Sequence, residues 1–497
     1  MKKSIITTAA FPFIPAEINI AHMASTYIPA DVYNRFMNLF GNDAFLVCAT
    51  DVHGVWVKRE LKKSDTDIKS LVDSFHNKYL KIFESLNIKF SNYGRTDSKL
   101  LYDLVNDSLV TLKENGFINK KVSKIYYCNQ CLEYLPKRFR IESSGTTQTG
   151  KLKLDDSDDK NMVCGFCMSH DVEEVETEHW FMDIPKGVDL IKNEVDKQKD
   201  SRVKKYLQSV INNGLSEWDF TRDDYYGIRL PFGTKNQYVY LWYDSLVGYL
   251  SLVPTGQAMD KVAYRHFLGK NIIYYHGIVW PLILKKGFNF DSIDFQISAR
   301  GFLNLSATDK ELIDVEEAVC NYEPDYLRFY VAHRTPDSFN DFVFTINELK
   351  ETVNNILCRQ VGGFFNRCRS ILRNNNVLSV PENGVRNEIF EETLSRINTY
   401  ISDMEINKAL LEVIGYIKKC GNVINKQCIY KNPSQEQLEL LCKMMAGGLL
   451  LIAPFIPGIV ENYNIFDGFK LDNIKNIEFL QGKKITYTDS TWRQIND

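Results

Sequence analysis

The chain has 497 residues, of which 44% are hydrophobic and 25% are charged, so it has the composition of an ordinary globular protein and not of a disordered one. At roughly 100 to 200 residues per domain, this length predicts three or four folding units. The 60 basic side chains are balanced by 63 acidic ones, which excludes an overall attraction to nucleic acid but still allows a local basic face. Eleven cysteines in a chain without an export signal favour reduced thiols and metal binding over disulfides.

The first residues lack the uninterrupted apolar core of a secretory signal. Lys2 and Lys3 precede an apolar run, but Pro12, Pro15 and Glu17 break it early. No stretch approaches the roughly 20 apolar residues that a membrane span needs. We therefore expect a soluble, cytoplasmic protein that is a monomer and has no membrane partner.

The N-terminal region predicts a strand, a loop, a helix and a second strand. Residues 4–11 form a buried strand, residues 12–16 a loop, and the helix opens at Ile18; a second strand, residues 46–51, ends at Asp51. The free N–H groups and the dipole of a helix N-terminus attract an anion. An acid at the end of the next parallel strand lies beside that point. The pattern therefore predicts a site for a nucleotide and a small ligand.

Farther along, the character of the sequence changes. The first 115 residues alternate strand and helix patterns, whereas residues 123–170 are polar and loop-rich and indicate an inserted module. Strand-like runs return in residues 238–275, which indicates that the first sheet resumes after the insertion. Residues 345–462 are helical in pattern, with prolines as breakers. We therefore predict an interrupted α/β domain followed by a helical bundle.

Two Cys-x-x-Cys pairs stand in the insertion, Cys128 with Cys131 and Cys164 with Cys167. Each pair places two thiolates on one tight turn, and the polar connection lets the second pair fold back on the first, as in a tetrahedral structural zinc site. Four protein ligands fill the coordination sphere, so the predicted Zn²⁺ would hold structure and do no chemistry. The alternative is four unpaired structural thiols. A redox pair is disfavoured, because neither pair opens an evident helix.

Taken in order, these features resemble the methionyl-tRNA synthetase family of class I aminoacyl-tRNA synthetases over nearly the whole chain. The resemblance is carried by Ala10-Phe11-Pro12-Phe13, Ile18-Asn19-Ile20-Ala21-His22-Met23, Asp51-Val52-His53-Gly54, Cys128 to Arg138, Thr221-Arg222-Asp223, Tyr240-Leu241-Trp242-Tyr243-Asp244, Gly248-Tyr249, Gly269-Lys270-Asn271-Ile272, His276, Trp280-Pro281 and Asp325-Tyr326-Leu327-Arg328-Phe329-Tyr330. One such motif alone would be weak evidence, but this many in the family's order is specific.

The resemblance implies an α/β fold with a Rossmann-type class I synthetase catalytic domain. A zinc-knuckle connective insertion would split that domain, and an all-α bundle similar to an anticodon-binding domain would follow it. The expected division is residues 1–115 for the first catalytic half, 116–229 for the insertion, 230–300 for the second half, 301–345 for a stem-contact segment with a degenerate signature loop, and 346–497 for the helical domain.

The resemblance also implies a pocket for an amino acid. Asp51 would pair with the α-ammonium group, a charge-assisted contact. The side-chain pocket would be lined by Phe11, Phe13, Trp242, Tyr249, Ile272 and His276. Aromatic faces suit a polarizable thioether, although Trp242 taken alone is better explained as ordinary core. Methionine is the favoured substrate, and a close analogue stays open, because Phe13 replaces the family's tyrosine and Ser245-Leu246 replaces an alanine–proline pair.

The nucleotide motifs depart further from the family. Contacts with ATP, which would enter with Mg²⁺ as a substrate, are implied for Ala21, His22, Gly269, Asn271 and Ser306, and catalytic roles for Asn19, His22 and Ser306. The family's His-Leu-Gly-His motif is Asn19-Ile20-Ala21-His22 in this chain, so the first histidine is lost and Ala21 adds a methyl group against the adenine.

A second departure lies in the signature loop. The family's Lys-Met-Ser-Lys-Ser aligns with Asn304-Leu305-Ser306-Ala307-Thr308, which has neither lysine, and Asn271 replaces a ribose-binding aspartate. One donor to the charge of a transition state is typically worth about 3 to 4 kcal/mol. We therefore expect slow formation of the adenylate.

The surface that would read tRNA is eroded as well. Residues 361–367 resemble the family's anticodon helix and retain Arg367, but Gly363 replaces an asparagine and a later proline–tryptophan pair is absent. Tyr430 could stack on a base. Arg367 and Tyr430 are therefore the candidate tRNA contacts, and the alternative is that the bundle only packs against the catalytic domain.

Three functions fit the sequence. The first is a methionyl-tRNA synthetase-like ligase, slow or specialised, that activates methionine or a similar amino acid with ATP and transfers it to tRNA. The second is a paralog that joins the amino acid to another acceptor in specialised metabolism. The third is a non-catalytic binder of an amino acid or RNA.

Overall fold

The predicted strands of the N-terminal region assemble into one parallel sheet in the computed structural model of the chain. The structure describes residues 3–63, 66–135, 140–142, 162–165, 167–234, 236–305, 314–383, 385–463, 465–466, 480–487 and 492–495. The strands are β1 (Ile5–Ala9), β2 (Ala44–Thr50), β3 (Asn92–Arg95), β4 (Ile118–Cys128), β5 (Glu133–Leu135), β6 (Arg140–Glu142), β7 (Met162–Cys164), β8 (Val172–Met182), β9 (Trp218–Asp219), β10 (Thr221–Asp223), β11 (Gln237–Val239), β12 (Ala263–Gly269), β13 (Asp294–Arg300), β14 (Leu303–Leu305) and β15 (Phe342–Phe344).

The helices surround this sheet and continue beyond it. They are α1 (Ile20–His22), α2 (Ile28–Leu39), α3 (Val55–Lys63), α4 (Ile68–Ser85), α5 (Lys99–Glu114), α6 (Val188–Asp196), α7 (Ser201–Asn212), α8 (Leu241–Ser251), α9 (Trp280–Gly287), α10 (Val315–Asn321), α11 (Pro324–Arg334), α12 (Ile346–Glu351), α13 (Gly363–Asn374), α14 (Glu388–Ser402), α15 (Ile406–Lys426), α16 (Gln435–Ile452) and α17 (Pro457–Tyr463). Wide π-type turns occupy Met23–Tyr27, Tyr275–Val279 and Thr352–Gly362, and 3₁₀ turns occupy Pro185–Gly187 and Lys270–Ile272.

The central sheet has the strand order β13-β12-β1-β2-β3, and every neighbouring pair is parallel. Strand β1 is buried along its whole length, as expected of an apolar strand covered by helices on both faces. The chain winds outward in one direction from β1 to β3 and in the other from β12 to β13. A crevice therefore opens at the carboxyl ends of β1 and β12, the point at which such sheets bind ligands.

The helix after β1 does not end at Pro29, although proline in a helix interior predicts a kink or an end. Helix α1 runs through the π-type turn Met23–Tyr27 directly into α2, with Pro29 in the first turn of α2. A wide turn changes the hydrogen-bonding register of the backbone, so the missing N–H of proline falls where the pattern already shifts.

An antiparallel sheet interrupts the parallel one between β3 and β12. Its order is β5-β4-β8-β9, and β4 pairs with β8 over its whole length, from Ile118 opposite Met182 to Cys128 opposite Val172. This ribbon carries the cysteine pairs at the end that lies away from Ile118. The predicted change from a parallel domain to an inserted module is therefore visible in the strand pairing.

The second half is helical and shares its apolar core with one face of the parallel sheet. A second core joins the other face to α5, α8, α9 and the insertion. Buried Arg328 of α11 fastens the first core, since it pairs with Asp31 of α2 at 2.6 Å and donates to the carbonyls of Leu86 and Pro454 at 3.0 and 2.8 Å. In the described residues, no helix combines the length and apolarity needed to cross a membrane.

Candidate functional site

The loop after β1 is bonded to the end of β2, and this places Asp51 in the crevice. The Asp51 N–H donates to the carbonyl of Pro12 at 2.8 Å, and the Ile14 N–H donates to the carbonyl of Asp51 at 3.0 Å. The Tyr79 hydroxyl of α4 supports the same loop, since it lies 2.6 Å from the carbonyl oxygen of Ala16 and 3.0 Å from that of Phe13 and can donate to either. The backbone of Asp51 is thus held from both sides.

The Asp51 carboxylate is 3% exposed and is held by neutral donors. Its Oδ2 accepts a hydrogen bond from Ser245 of α8, and its Oδ1 accepts longer ones from Thr96 Oγ1 at 3.3 Å and from the His53 N–H at 3.4 Å. Burial, with the nearby carboxylate of Asp244, raises the pKa of Asp51 to about 7. A bound cation would reverse that shift, so the site favours a positively charged ligand group.

A buried His53–Asp244 pair lies beside Asp51 and was not among the site residues predicted from the sequence. His53 Nδ1 is 2.5 Å from Asp244 Oδ2. Burial acts to lower the pKa of His53, but the charge of Asp244 and the hydrogen bond to it outweigh burial, and the pKa is raised. Carboxylate oxygens of Asp51 and Asp244 and a ring nitrogen of His53 all lie within 4.8 Å of one another. The sequence signal was present, since His53 and Asp244 both stand in motifs that carry the family resemblance.

Next to this charged corner lies an aromatic wall. The Tyr249 ring is 4.6 Å from the Phe11 ring. The hydroxyl of Tyr249 is 3.0 Å from Nε2 of His276, whose Nδ1 is 3.0 Å from the carbonyl of Ile272. A carbonyl only accepts, so Nδ1 carries the proton and Nε2 accepts from Tyr249. Burial lowers the pKa of His276 to about 4, which keeps this wall neutral.

Phe11 fits because the opposite position is glycine. A Cβ at Gly248 would lie 2.7 Å from the Phe11 ring, closer than carbon atoms pack. Trp242 is half-buried and stacks on Tyr275 with 4.4 Å between centroids and 8° between planes. Phe13 is 44% exposed, so the predicted contact of its side chain with the substrate stays a prediction.

The first nucleotide motif caps its own helix. Asn19 Oδ1 accepts from the N–H groups of Ala21 at 3.0 Å and His22 at 3.3 Å, and His22 Nδ1 accepts from the Asn19 N–H at 3.2 Å. Because Nδ1 accepts this bond, neutral His22 carries its proton on Nε2. The amide oxygen of Asn19 also occupies the N–H groups that a bare helix end would offer to an anion.

At the turn Gly269-Lys270-Asn271, which holds two of the predicted ATP contacts, a side chain packs against the backbone. A Cβ at Gly269 would lie 2.8 Å from Asn271 Oδ1, so this exposed amide sits directly over the glycine. Between them, Lys270 reaches Asp341 at 2.6 Å and lies 4.7 Å from the centre of the Phe302 ring. This contact ties the crevice to the strands β14 and β15.

Ser306 lies outside the described residues, whereas the described residues before and after that gap have defined contacts. Before it, β14 pairs with β15 in parallel. After it, the backbone of Asp314 forms a bridge with Asn19. Lys78 adds a second link at this end, since it pairs with Glu17 at 2.5 Å and with Glu316 at 3.3 Å. The described chain therefore resumes at Asp314 beside the first nucleotide motif.

The four predicted cysteines come together at the end of the β4–β8 ribbon. Cys128 Sγ is 3.7 Å from Cys167 Sγ, Cys131 Sγ is 3.7 Å from Cys164 Sγ, and all four lie within 4.8 Å of one another. Tetrahedral Zn²⁺ with bonds of about 2.3 Å needs sulfur atoms about 3.8 Å apart. The Cys131 N–H donates to Cys128 Sγ at 3.3 Å, the backbone contact that orients a thiolate toward a metal. The donor set and its geometry fit structural zinc.

The two candidate tRNA contacts meet on the surface of the helical half. The Arg367 guanidinium lies 5.1 Å from the centre of the Tyr430 ring and donates to Asn425 Oδ1 at 2.6 Å. Tyr430 is 48% exposed. Gly363, on the same helix as Arg367, faces open space. An exposed aromatic ring backed by a guanidinium is a platform on which a nucleic-acid base could stack.

Comparison with known proteins assigns the chain to a family. Residues 5–369 match the family model described as tRNA synthetases class I (M). Methionine–tRNA ligase of Methanobrevibacter smithii is 26% identical over 99% of this chain and 80% of its own length, and that of Ignicoccus hospitalis is 28% identical over 92% and 88%.

A solved structure shows the same fold. The Mycobacterium tuberculosis methionyl-tRNA synthetase bound by methionyl-adenylate superposes with a TM-score of 0.79 at 17% identity, covering 99% of this chain and 100% of that one. The predicted fold class is thereby confirmed. Because the family model spans most of the chain, the protein belongs to the class I tRNA synthetases (M), and the predicted enzyme class, a ligase of the aminoacyl-tRNA synthetase type, is confirmed.

Proposed function

We propose that the protein is a methionyl-tRNA synthetase, which activates methionine with ATP and Mg²⁺ as an adenylate and transfers it to tRNA. The observation that carries the proposal is the pairing of one buried carboxylate, Asp51, with a neutral aromatic wall at the switch point of the sheet. The matched relatives are methionine–tRNA ligases, which favours tRNA over another acceptor and catalysis over simple binding.

Selection of methionine follows from the two parts of the site. Asp51 has the charge to hold the α-ammonium group, and its 3% exposure strengthens that contact. Phe11, Tyr249 and neutral His276 offer aromatic faces to a thioether, which such faces attract. The hydroxyl of Tyr249 is engaged by His276, so the wall presents no free donor that would reward a more polar side chain.

The nucleotide would lie across the ends of β1 and β12, between the loop that bears Asn19 and the turn at Gly269. His22, with its proton on Nε2, can donate to a phosphate oxygen. The amide oxygen of Asn19 already accepts hydrogen bonds from N–H groups at the start of the helix. The helix therefore offers a phosphate fewer free N–H groups than an uncapped helix would. This supports adenylate formation that is slow for the family.

The cysteine cluster would hold one structural Zn²⁺ through Cys128, Cys131, Cys164 and Cys167. When bound, the metal supplies cross-links that fix the tip of the ribbon and takes no part in activation. Buried Glu133 of β5 accepts a hydrogen bond from Arg222 of β10 at 2.9 Å. This bond links the tip of the ribbon to β10.

Amino-acid-dependent exchange of pyrophosphate into ATP tests the activation step. With a panel of amino acids, we expect methionine to give the highest exchange. Asp51→Asn, which keeps the size but removes the charge, should lower exchange with methionine at least about tenfold, because an ammonium group loses its ionic partner. Asp43→Asn, at the exposed other end of β2, is the matched control and should leave exchange unchanged. Equal exchange by both variants, or preference for another amino acid, would contradict the proposal.

A further inference from the structure

Ser245 occupies a position between two acceptors. It lies on α8 and is 7% exposed. Its hydroxyl is within hydrogen-bonding distance of Asp51 Oδ2 and also lies 2.7 Å from the carbonyl oxygen of Leu241, one helical turn earlier. A hydroxyl has one proton, so it can donate to only one of these acceptors at a time.

The remaining contacts of Asp51 make this choice consequential. Both donors to Oδ1, Thr96 and the His53 N–H, stand at 3.3 Å or more, so the bond from Ser245 is the short one. An ammonium group can bind Asp51 without displacing this bond, because each carboxylate oxygen has two lone pairs. Several titratable groups face Asp51 or the neighbouring His53: His53, Asp97 and Tyr226 on the loops, Asp244 and Tyr249 on α8, Tyr79 on α4 and Tyr102 on α5.

We propose that Ser245 is a positioning residue for the amino-acid substrate: its hydroxyl donates to the ionised Asp51 carboxylate both before and after the substrate's ammonium group binds, and turns to the Leu241 carbonyl only when Asp51 takes up a proton. The proposal rests on the proposed function, since it requires an amino acid at Asp51. The turn costs little because the second acceptor is already at bonding distance.

The hydroxyl matters because the carboxylate sits in surroundings that disfavour its charge. Burial and the carboxylate of Asp244 raise the pKa of Asp51 to about 7, whereas the bond from Ser245 acts to lower it. Without that bond the pKa of Asp51 rises further, and below it the ammonium group must displace a proton in order to bind. Loss of the hydroxyl should therefore weaken binding at low pH and leave it nearly unchanged at high pH.

Calorimetric titration of methionine into the full chain, from pH 5.5 to 8.5, measures the effect. The quantity compared is the ratio of the dissociation constants of the variant and the unaltered protein, in which titration of the ligand's own amino group cancels. For Ser245→Ala we expect a ratio of about ten at pH 6, falling to within about twofold of one at pH 8.5, as for a shift of about one pKa unit. Alanine favours a helix more than serine does, so folding should be preserved.

Two further variants and one further ligand separate this role from a structural one. Ser251→Ala is the matched control, because Ser251 also lies on α8 and its hydroxyl donates to a carbonyl, that of Gly248 at 2.8 Å; its ratio should stay near one at every pH. Ser245→Thr keeps the hydroxyl and should restore the ratio toward one. Methioninol, which keeps the ammonium group but lacks the carboxylate, should show the same pH-dependent ratio as methionine.

The possible results can be told apart. A ratio for Ser245→Ala that does not change with pH, or that Ser251→Ala reproduces, would overturn the role of Ser245 and leave the proposed function intact. Failure of the unaltered protein to bind methionine at any pH would instead contradict the proposed function itself.

Discussion

Single residues in the proposed amino-acid site divide into one charged corner and one neutral wall. Asp51, His53 and Asp244 are buried and ionisable, whereas His276 is kept neutral because burial lowers its pKa to about 4. Whether each of these groups is charged or neutral depends on its hydrogen bonds. In the neutral wall, Tyr249 is the donor to His276 Nε2. A buried acceptor that loses its donor is costly, so this contact should be measurable.

Tyr249→Phe tests the wall. Removal of the hydroxyl leaves His276 Nε2 buried without its donor, and we expect the free energy of unfolding to fall by about 1 to 3 kcal/mol. Denaturant titration measures the change. Tyr238→Phe is the control, since among the described contacts the Tyr238 hydroxyl makes no hydrogen bond, only the ring contact with Arg229. If both variants unfold at the same denaturant concentration, the assigned hydrogen bond has no energetic role.

At the scale of elements, the sequence predicted what depends on local pattern. The fully apolar strand β1, the polar insertion and the spacing of the cysteine pairs are local signals, and each has its counterpart in the structure. Contacts between distant segments were not predictable in this way. Ser245 and Asp51 are 194 positions apart, and their bond depends on how α8 lies across the end of β2. The continuation of the helix past Pro29 was not predictable either, because the π-type turn before it has no simple sequence signature.

The cysteine cluster should hold about one zinc per chain. Cys164→Ser removes one of four ligands, so we expect the zinc content to fall and the midpoint of thermal unfolding to drop. Elemental analysis and a thermal melt give the two values. Cys320→Ser, at an exposed cysteine outside the cluster, should change neither. Zinc content that survives the loss of Cys164 would show that the four thiolates are not a metal site.

The signature loop gives a prediction about rate. The unaltered chain should exchange pyrophosphate more slowly than the order of 10 turnovers per second that is ordinary for enzymes. Asn304→Lys combined with Ala307→Lys restores two cations that act on the transition state, so turnover should rise at least about tenfold while the KM for methionine stays constant.

Val343→Lys is the control for that gain. It places a lysine on β15 directly opposite Asn304, so it adds charge to the same small sheet without restoring the motif. An equal gain from this control would assign the effect to general electrostatics. An ordinary rate in the unaltered chain would show that the missing lysines are not needed.

On the scale of the whole molecule, the catalytic crevice and the helical half are parts of one packed body. One apolar core runs from the parallel sheet into the helical half, and the buried Arg328–Asp31 pair joins them. The candidate base-stacking platform at Arg367 and Tyr430 is therefore held in a fixed relation to the site at Asp51. This arrangement would let one tRNA contact both places, which suits the proposed transfer to tRNA.

Charging of tRNA is accordingly the most direct test of the account. The protein is incubated with ATP, Mg²⁺, labelled methionine and methionine-accepting tRNA, with a tRNA for another amino acid as the control. The account predicts ATP-dependent attachment of methionine to the first tRNA alone, even if slow. Exchange of pyrophosphate with methionine but no attachment to tRNA, or attachment of a different amino acid, would contradict it.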